Sequence, residues 1–142
     1  MSNSCAIYFH VGTGKTASTF LQKRIFPLLK GIYYIPTNRY HKIFREIEKS
    51  SSTKILVSRE FDQQLEKEVK LFSEKQPNTT PIIVFRRQDE YIASQYRRFV
   101  KNGFTGNFQV FFDLQNNEGY FKESDLDYKS QVALLKKYFT KN

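Results

Sequence analysis

The chain has 142 residues, of which 39% are hydrophobic and 26% charged, a balance typical of one globular domain with a single core. Lysine and arginine number 23 against 14 aspartate and glutamate, so the formal net charge is +9 and the protein attracts anions. A single cysteine, Cys5, excludes an internal disulfide framework and a cysteine-based zinc site, and two histidines far apart in the sequence do not indicate a metal centre.

Four short apolar runs predict strands. They cover residues 5–11, 32–35, Lys54–Ser58 and 82–85. The runs are continuous rather than alternating, which is typical of parallel strands that are covered on both faces.

Helical patterns separate and follow these strands. Apolar residues recur at helical spacing over residues 17–29, 40–49, 62–75, 89–101 and 125–139, and the stretch before the last helix is aromatic and irregular. The alternation of strands and helices predicts a three-layer α/β fold with a central parallel sheet of about four strands. The carboxyl ends of such strands meet at one edge, where α/β proteins bind ligands.

A glycine-rich turn follows the first predicted strand. Gly12 and Gly14 allow backbone N–H groups to face an anion, and Lys15 adds a full positive charge. A predicted helix starts directly after the turn, as in many phosphate sites. Three hydroxyl side chains complete the turn: Thr16, Ser18 and Thr19.

The turn is also similar to the Walker A loop of kinases and nucleoside triphosphatases, G-x-x-x-x-G-K-[ST]. Phe9 stands where the first glycine of that loop belongs. These enzymes usually place a magnesium-binding aspartate at the end of another strand. Here Arg59 and Glu60 follow the third strand and Arg86 follows the fourth. A P-loop kinase or NTPase is therefore an alternative function, and we expect no metal site.

A second candidate phosphate site follows the fourth predicted strand. Arg86 stands at the strand's end, and Ser94 lies about two turns inside the following helix. A guanidinium and a hydroxyl can hold a phosphate together. Taken alone, this pair is more simply interpreted as a surface charge and an ordinary helix residue.

Together the two segments resemble the sulfotransferases that use 3′-phosphoadenosine 5′-phosphosulfate (PAPS), most closely the bacterial ones. Residues 10–19 are similar to the family's 5′-phosphosulfate loop, in which a lysine precedes paired hydroxyl residues. Arg86, Ser94 and Tyr96 are similar to its 3′-phosphate motif, including the form Arg-Arg-Gln-Asp. The resemblance implies a three-layer, P-loop-like fold over a single domain, residues 1–142.

The chain departs from the family in two respects. Ala17 stands where glycine is usual; a methyl group suits a helical backbone there but would impair PAPS binding if φ were positive. Family members also continue beyond the point where this sequence stops. We therefore expect a fragment or a short member that lacks the family's C-terminal strand and acceptor-site segment.

The resemblance also implies the chemistry. The protein would transfer a sulfuryl group from PAPS to a hydroxyl or amine of an acceptor, for example a glycan, and release adenosine 3′,5′-bisphosphate. Lys15 would stabilise the departing oxygen, the remainder of the loop 12–19 would hold the phosphosulfate, and Arg86 with Ser94 would hold the 3′-phosphate. Glu60 is the predicted general base, although an exposed glutamate at the start of a helix is an equally simple interpretation.

A third interpretation is a non-enzymatic anion-binding module for nucleic acid or polysaccharide. It would use the net positive charge and the late basic and aromatic residues Arg97, Arg98, Lys101, Phe104 and Tyr120. We expect nucleic acid not to be the partner. No apolar run reaches the about 20 residues of a membrane span, and the polar start lacks a signal peptide pattern, so we expect a cytoplasmic protein.

Overall fold

In this computed structural model, which describes residues 5–139, four strands form one parallel sheet. They are β1 (Ala6–His10), β2 (Tyr33–Ile35), β3 (Lys54–Ser58) and β4 (Thr79–Ile82). Their order across the sheet is β2-β3-β1-β4. This confirms the predicted α/β fold, while both ends of the predicted domain, 1–4 and 140–142, lie outside the described residues.

The helices are α1 (Ser18–Phe20), α2 (Ile43–Lys49), α3 (Leu65–Lys75), α4 (Gln88–Lys101), α5 (Phe108–Phe111) and α6 (Tyr128–Tyr138). Three of the longer helices, α2, α3 and α6, begin three residues later than predicted because short turns precede them, whereas α4 begins one residue earlier. A 3₁₀ segment over Thr37–Lys42 precedes α2, and another over Glu123–Leu126 precedes α6. At the start of α6 the Asp127 carboxylate accepts the Ser130 backbone N–H and so caps the helix.

The helix predicted for residues 17–29 is present but changes its form twice. After α1 the chain continues as a π-helix over Leu21–Ile25 and ends as a 3₁₀ turn over Phe26–Leu28. Pro27 accounts for the ending, because proline has no N–H to donate to the preceding turn. The segment packs on one face of the sheet, where Leu21 and Phe26 meet Tyr8 and His10 of β1.

The main core lies on the opposite face of the sheet. Ile7, Phe9 and Val11 alternate toward this face and are buried against α2, α3 and α6. Phe9 is fully buried and stacks on Phe72 of α3 with 4.1 Å between ring centroids. Since both faces of β1 are covered, its sequence is a continuous apolar run rather than an alternating one.

The fourth strand is displaced from its predicted position at residues 82–85. Its neighbour β1 ends at His10, which pairs with Ile82, and the chain then turns away at Gly12. Residues 83–85 therefore have no strand to pair with and lie beyond the ladder. Pro81, which precedes the predicted strand, lies within the observed one; an edge strand tolerates the missing N–H.

The aromatic stretch after α4 forms a second apolar cluster. Tyr91 and Ile92 of α4 pack there with Phe111, Phe112 and Phe121. These aromatic side chains therefore serve largely as core. No helix within residues 5–139 has the length and apolar character needed to cross a membrane.

Replacing Phe9 tests the main core. We expect Phe9→Ala to lower the free energy of unfolding by about 3–5 kcal/mol, because it removes buried area and leaves a cavity beside Phe72. Phe20→Ala makes the same chemical change at a side chain that is 58% exposed, and it should cost less than about 0.5 kcal/mol. Urea denaturation measures both, and equal losses would contradict this description of the core.

Candidate functional site

The carboxyl edge of the sheet carries a cleft of about 470 Å³, which we call the loop cleft. The turn after β1, the residue Glu60 beyond β3, Arg86 beyond β4 and one face of α4 surround it. Its lining consists of Gly14, Lys15, Ala17, Ser18, Thr19, Glu60, Arg86, Ser94 and Arg98. Both predicted phosphate motifs therefore contribute to one cleft, although their roles in binding stay predictions.

Two predicted residues, Gly12 and Thr16, do not line the loop cleft. Thr16 is buried, and its hydroxyl donates to the Thr13 carbonyl oxygen at 2.8 Å, so it closes the turn from within. Gly12 lies over the His10 ring, where an added Cβ would be 3.0 Å from Nε2. Close packing on the buried His10 ring therefore disfavours a larger residue at this position.

Positive φ occurs at unexpected positions of the turn. Lys15 has φ 69° and Ala17 has φ 60°, both in the left-handed region, whereas Gly12 and Gly14 do not. A side chain in this conformation costs about 1–2 kcal/mol because its Cβ approaches the backbone. Ala17 is therefore in the conformation that we expected to impair PAPS binding, and glycine would adopt it without this cost.

Ser18 and Glu60 are joined within the loop cleft. The Ser18 hydroxyl donates to Glu60 Oε1, and Ser18 itself is almost fully buried. The contact connects the start of α1 to the segment beyond β3. It places the predicted general base beside a predicted ligand-binding hydroxyl.

Arg86 connects the second motif to the loop. Its Nη1 donates to the Lys15 carbonyl oxygen at 3.5 Å, and its Nε donates to Glu90 Oε2 at 3.1 Å. Residues 71 positions apart thus meet at the rim of the cleft. The neighbouring Arg87 does not line the cleft. Its Nε and Nη2 donate to the two carboxylate oxygens of Asp89, each at 2.7 Å.

Arg98 lies in the loop cleft but is not among the predicted nucleotide-binding residues. It follows Ser94 by one helical turn, so both side chains occupy the same face of α4. The one-turn spacing between Ser94 and Arg98 is the feature of the sequence from which Arg98 could have been predicted. Among the described lining residues, Arg98 joins Lys15 and Arg86 as a third cation against the one carboxylate of Glu60, while Glu90 and Asp62 pair with the two arginines from outside the lining.

Asp62 is a second site residue that the sequence did not indicate. Its Oδ1 accepts the Gly14 backbone N–H at 3.1 Å, and its Oδ2 accepts from Arg98 Nη2 at 3.4 Å. The Gly14 amide therefore faces a carboxylate of the protein. Asp62 lies four residues beyond β3, and no sequence pattern indicates how close this segment lies to the glycine-rich turn after β1.

His10 lies beneath the loop and is fully buried. Its Nδ1 shares a hydrogen bond of 2.8 Å with Ser58 Oγ, which also accepts from Gln22 Nε2 at 3.0 Å. Its Nε2 has no hydrogen-bond partner within residues 5–139. Burial lowers the pKa of His10 from the ordinary 6.5, because the charged ring would lose its hydration.

Comparisons of the chain with protein-family models, curated proteins and solved structures found no match.

Replacing Ala17 tests the strain of the turn. Ala17→Gly should raise the free energy of unfolding by about 0.5–1 kcal/mol, since relief of the left-handed strain exceeds the extra entropy of unfolded glycine. The matched control is Ala133→Gly, an exposed site in the middle of α6, which should lower it by about 1 kcal/mol. The same sign for both variants in chemical denaturation would argue against strain at Ala17.

The buried His10 should make stability depend on pH. The folded state has the lower pKa, so the unfolded chain binds more protons below about pH 6.5, and stability present above that pH is lost as pH falls. We expect His10→Gln to remove this component of the pH profile, measured by urea denaturation between about pH 5 and 8. His41→Gln, at an exposed histidine, should keep the profile of the parent protein; a parent-like profile in His10→Gln would contradict the assignment.

Proposed function

We propose that this protein is a PAPS-dependent sulfotransferase that transfers a sulfuryl group to a hydroxyl or amine of an acceptor. The convergence of Lys15, Arg86 and Ser94 on the loop cleft is the observation that carries the proposal. A donor with separate 5′ and 3′ anionic groups needs two cationic sites at a fixed spacing. The turn after β1 and the face of α4 offer two such sites.

The charge of the loop cleft supports a polyanionic ligand. Three cations line it against one carboxylate, in a protein of net charge +9. Guanidinium groups bind phosphate with paired N–H donors, and Arg98 adds a second guanidinium beside Ser94. In this assignment Arg98 belongs with Arg86 and Ser94 in holding the 3′-phosphate.

The transfer step divides between Lys15 and Glu60. The acceptor oxygen forms a bond to sulfur while the bond from sulfur to the phosphate oxygen breaks, and the electron pair leaves on the bisphosphate. Lys15 stabilises the charge that develops on that oxygen, and the Glu60 carboxylate accepts the proton of the acceptor. The protein's contribution is mainly alignment and electrostatic stabilisation.

The Ser18 hydroxyl links donor binding to the general base. In the structure it donates to Glu60. If it turns to donate to a phosphosulfate oxygen instead, the Glu60 oxygen is released and can accept the acceptor's proton. Binding of the donor would thereby prepare the base, which is a direct consequence of one hydroxyl having one proton to donate.

A P-loop kinase or NTPase remains the second candidate because of Asp62. This carboxylate lies beside the glycine loop, close to where such enzymes bring a magnesium ligand. Against it, Phe9 is buried inside β1, so the loop lacks the first glycine of the Walker pattern. A magnesium requirement for nucleotide binding distinguishes the two functions.

Nucleotide titration of adjacent arginine variants tests the proposal. The parent protein should bind adenosine 3′,5′-bisphosphate more tightly than AMP without any metal. Arg86→Ala should weaken bisphosphate binding about ten- to hundredfold, the effect of a charge-assisted hydrogen bond of about 1.5–3 kcal/mol, and should remove the preference over AMP. Isothermal titration calorimetry measures each dissociation constant.

Arg87→Ala is the matched control, because Arg87 binds Asp89 and does not line the loop cleft. It should leave the bisphosphate affinity within about twofold. Tight binding of ATP only with magnesium would support the kinase alternative instead. Salt-sensitive polyanion binding that survives Lys15→Ala would support the anion-binding module.

A further inference from the structure

A second pocket of about 370 Å³, which we call the acidic pocket, is lined by Thr13 of the glycine loop (residues 12–19) and by residues around the starts of α3 and α6. Among the described residues, its lining contains no lysine or arginine but four carboxylates: Asp62, Glu66, Asp125 and Asp127. The chain as a whole has a net charge of +9, so this concentration of negative charge runs against its composition. A pocket of this kind favours a cationic ligand.

Two buried polar atoms of the acidic pocket lack partners. Neither Thr13 Oγ1 nor Gln131 Oε1 has a hydrogen-bond partner within the described residues, and Thr13 is only 4% exposed. A buried oxygen without a donor costs about 1–3 kcal/mol, and a donor group of a ligand in the pocket would remove that cost. Both atoms can accept hydrogen bonds.

The carboxylates of the acidic pocket differ in their hydrogen-bond and ion-pair partners. Asp127 accepts from the Ser130 N–H and hydroxyl, and Asp125 accepts from the Lys122 backbone N–H, so both bind neutral donors. Among residues 5–139, Asp62 is the carboxylate of the pocket that forms an ion pair, with Arg98. Within that range the other three carboxylates have no ion-pair partner.

The geometry favours an organic cation over a metal ion. Within residues 5–139 no group of three or more His, Cys, Asp or Glu side chains is arranged to hold a metal. An ammonium group has three N–H donors and can be met by oxygens at wider spacing. Carboxylates together with the neutral acceptors Thr13 and Gln131 match such a donor.

The acidic pocket adjoins the loop cleft. Thr13 lines the pocket and the next residue, Gly14, lines the cleft. Successive Cα atoms are about 3.8 Å apart, so the two spaces meet at the same part of the turn. Asp62 contacts both Gly14 and Arg98 and forms part of the wall between them.

We propose that the acidic pocket binds the protonated amino group of the acceptor, which makes the acceptor an amino alcohol or amino sugar. This deepens the proposed function and rests on it. An ammonium nitrogen has no lone pair, so it anchors the molecule while a hydroxyl of the same molecule reacts. That hydroxyl forms the new bond to sulfur, its proton passes to Glu60, and the bisphosphate leaves with the electron pair of the broken bond.

Glucosamine and N-acetylglucosamine are the matched probes, because they share a ring and differ in the charge of the nitrogen. At about pH 6.5, below the pKa of an amino group, glucosamine should shift backbone amide signals around Thr13 and Glu66 in two-dimensional NMR spectra. N-acetylglucosamine should bind at least about tenfold more weakly, which corresponds to about 1.4 kcal/mol. Equal binding of the two sugars, or binding of neither, would overturn the inference.

Paired variants locate the site. Glu66→Gln should weaken glucosamine binding several-fold, whereas Glu74→Gln, the same change at an exposed position of α3 outside the pocket, should not. Thr13→Val removes the unpartnered hydroxyl and should also weaken binding, while the protein stays as stable as the parent or becomes more stable. Glucosamine binding that is insensitive to both Glu66→Gln and Thr13→Val would place the ligand elsewhere.

Bisphosphate titration of the same samples separates the two proposals. If bisphosphate binds in an Arg86-dependent way but glucosamine does not bind, the proposed sulfotransferase function is retained and the proposed amine site is overturned. If glucosamine binds but bisphosphate does not, the proposed sulfotransferase function is overturned, and so is the role of the acidic pocket in binding the acceptor. Binding of both, in one ternary complex, is the expected result.

Discussion

The position of β1 between β3 and β4 is the constraint on which the loop cleft depends. The turn that leaves β1 must lie between the segments that leave its two neighbours, because all three strands are parallel and end at the same edge. Glu60 approaches the turn from the side of β3, and Arg86 approaches it from the side of β4. A different strand order would separate the two motifs, so the proposed donor site is a property of topology as much as of its residues.

The glycine loop separates two fields of opposite sign. Lys15, Arg86 and Arg98 surround the loop cleft, while carboxylates surround the acidic pocket behind the loop. Asp62 stands at the boundary, where it binds a backbone N–H of the loop and a guanidinium of α4. This arrangement of charge suits a ligand that carries both an anionic and a cationic group. It equally suits two ligands of opposite charge that bind side by side.

The sequence predicts the strands and the two motifs because those signals are local. Apolar runs located β1 and β3, and Arg86 lies only two residues before α4, the helix that carries Ser94. The errors arise where partners distant in sequence decide the outcome. The ladder of β4 is shifted because β1 ends at His10, and Thr16 turns inward because Thr13 offers its carbonyl oxygen. No periodicity contains that information.

The residues added by the structure illustrate the same limit in two ways. Arg98 was accessible from sequence, because its one-turn spacing from Ser94 places both on one face of α4. Asp62 was not, because its role depends on the path of the chain after β3. The resemblance singled out Ala17 as a position where glycine is usual, but the sign of its φ could not be read from the sequence.

The left-handed residues of the turn persist only because several contacts hold the loop at once. Strained conformations of this kind persist when more contacts than necessary fix the surrounding backbone. Asp62 holds Gly14, Thr13 holds Thr16, and Glu60 holds Ser18, so each side of the two strained residues is fixed. The Glu60 contact is the one that donor binding would exchange for a ligand contact. In that case the ligand, rather than Glu60, would hold Ser18 next to the strained Ala17. The loop would then keep its shape during the reaction.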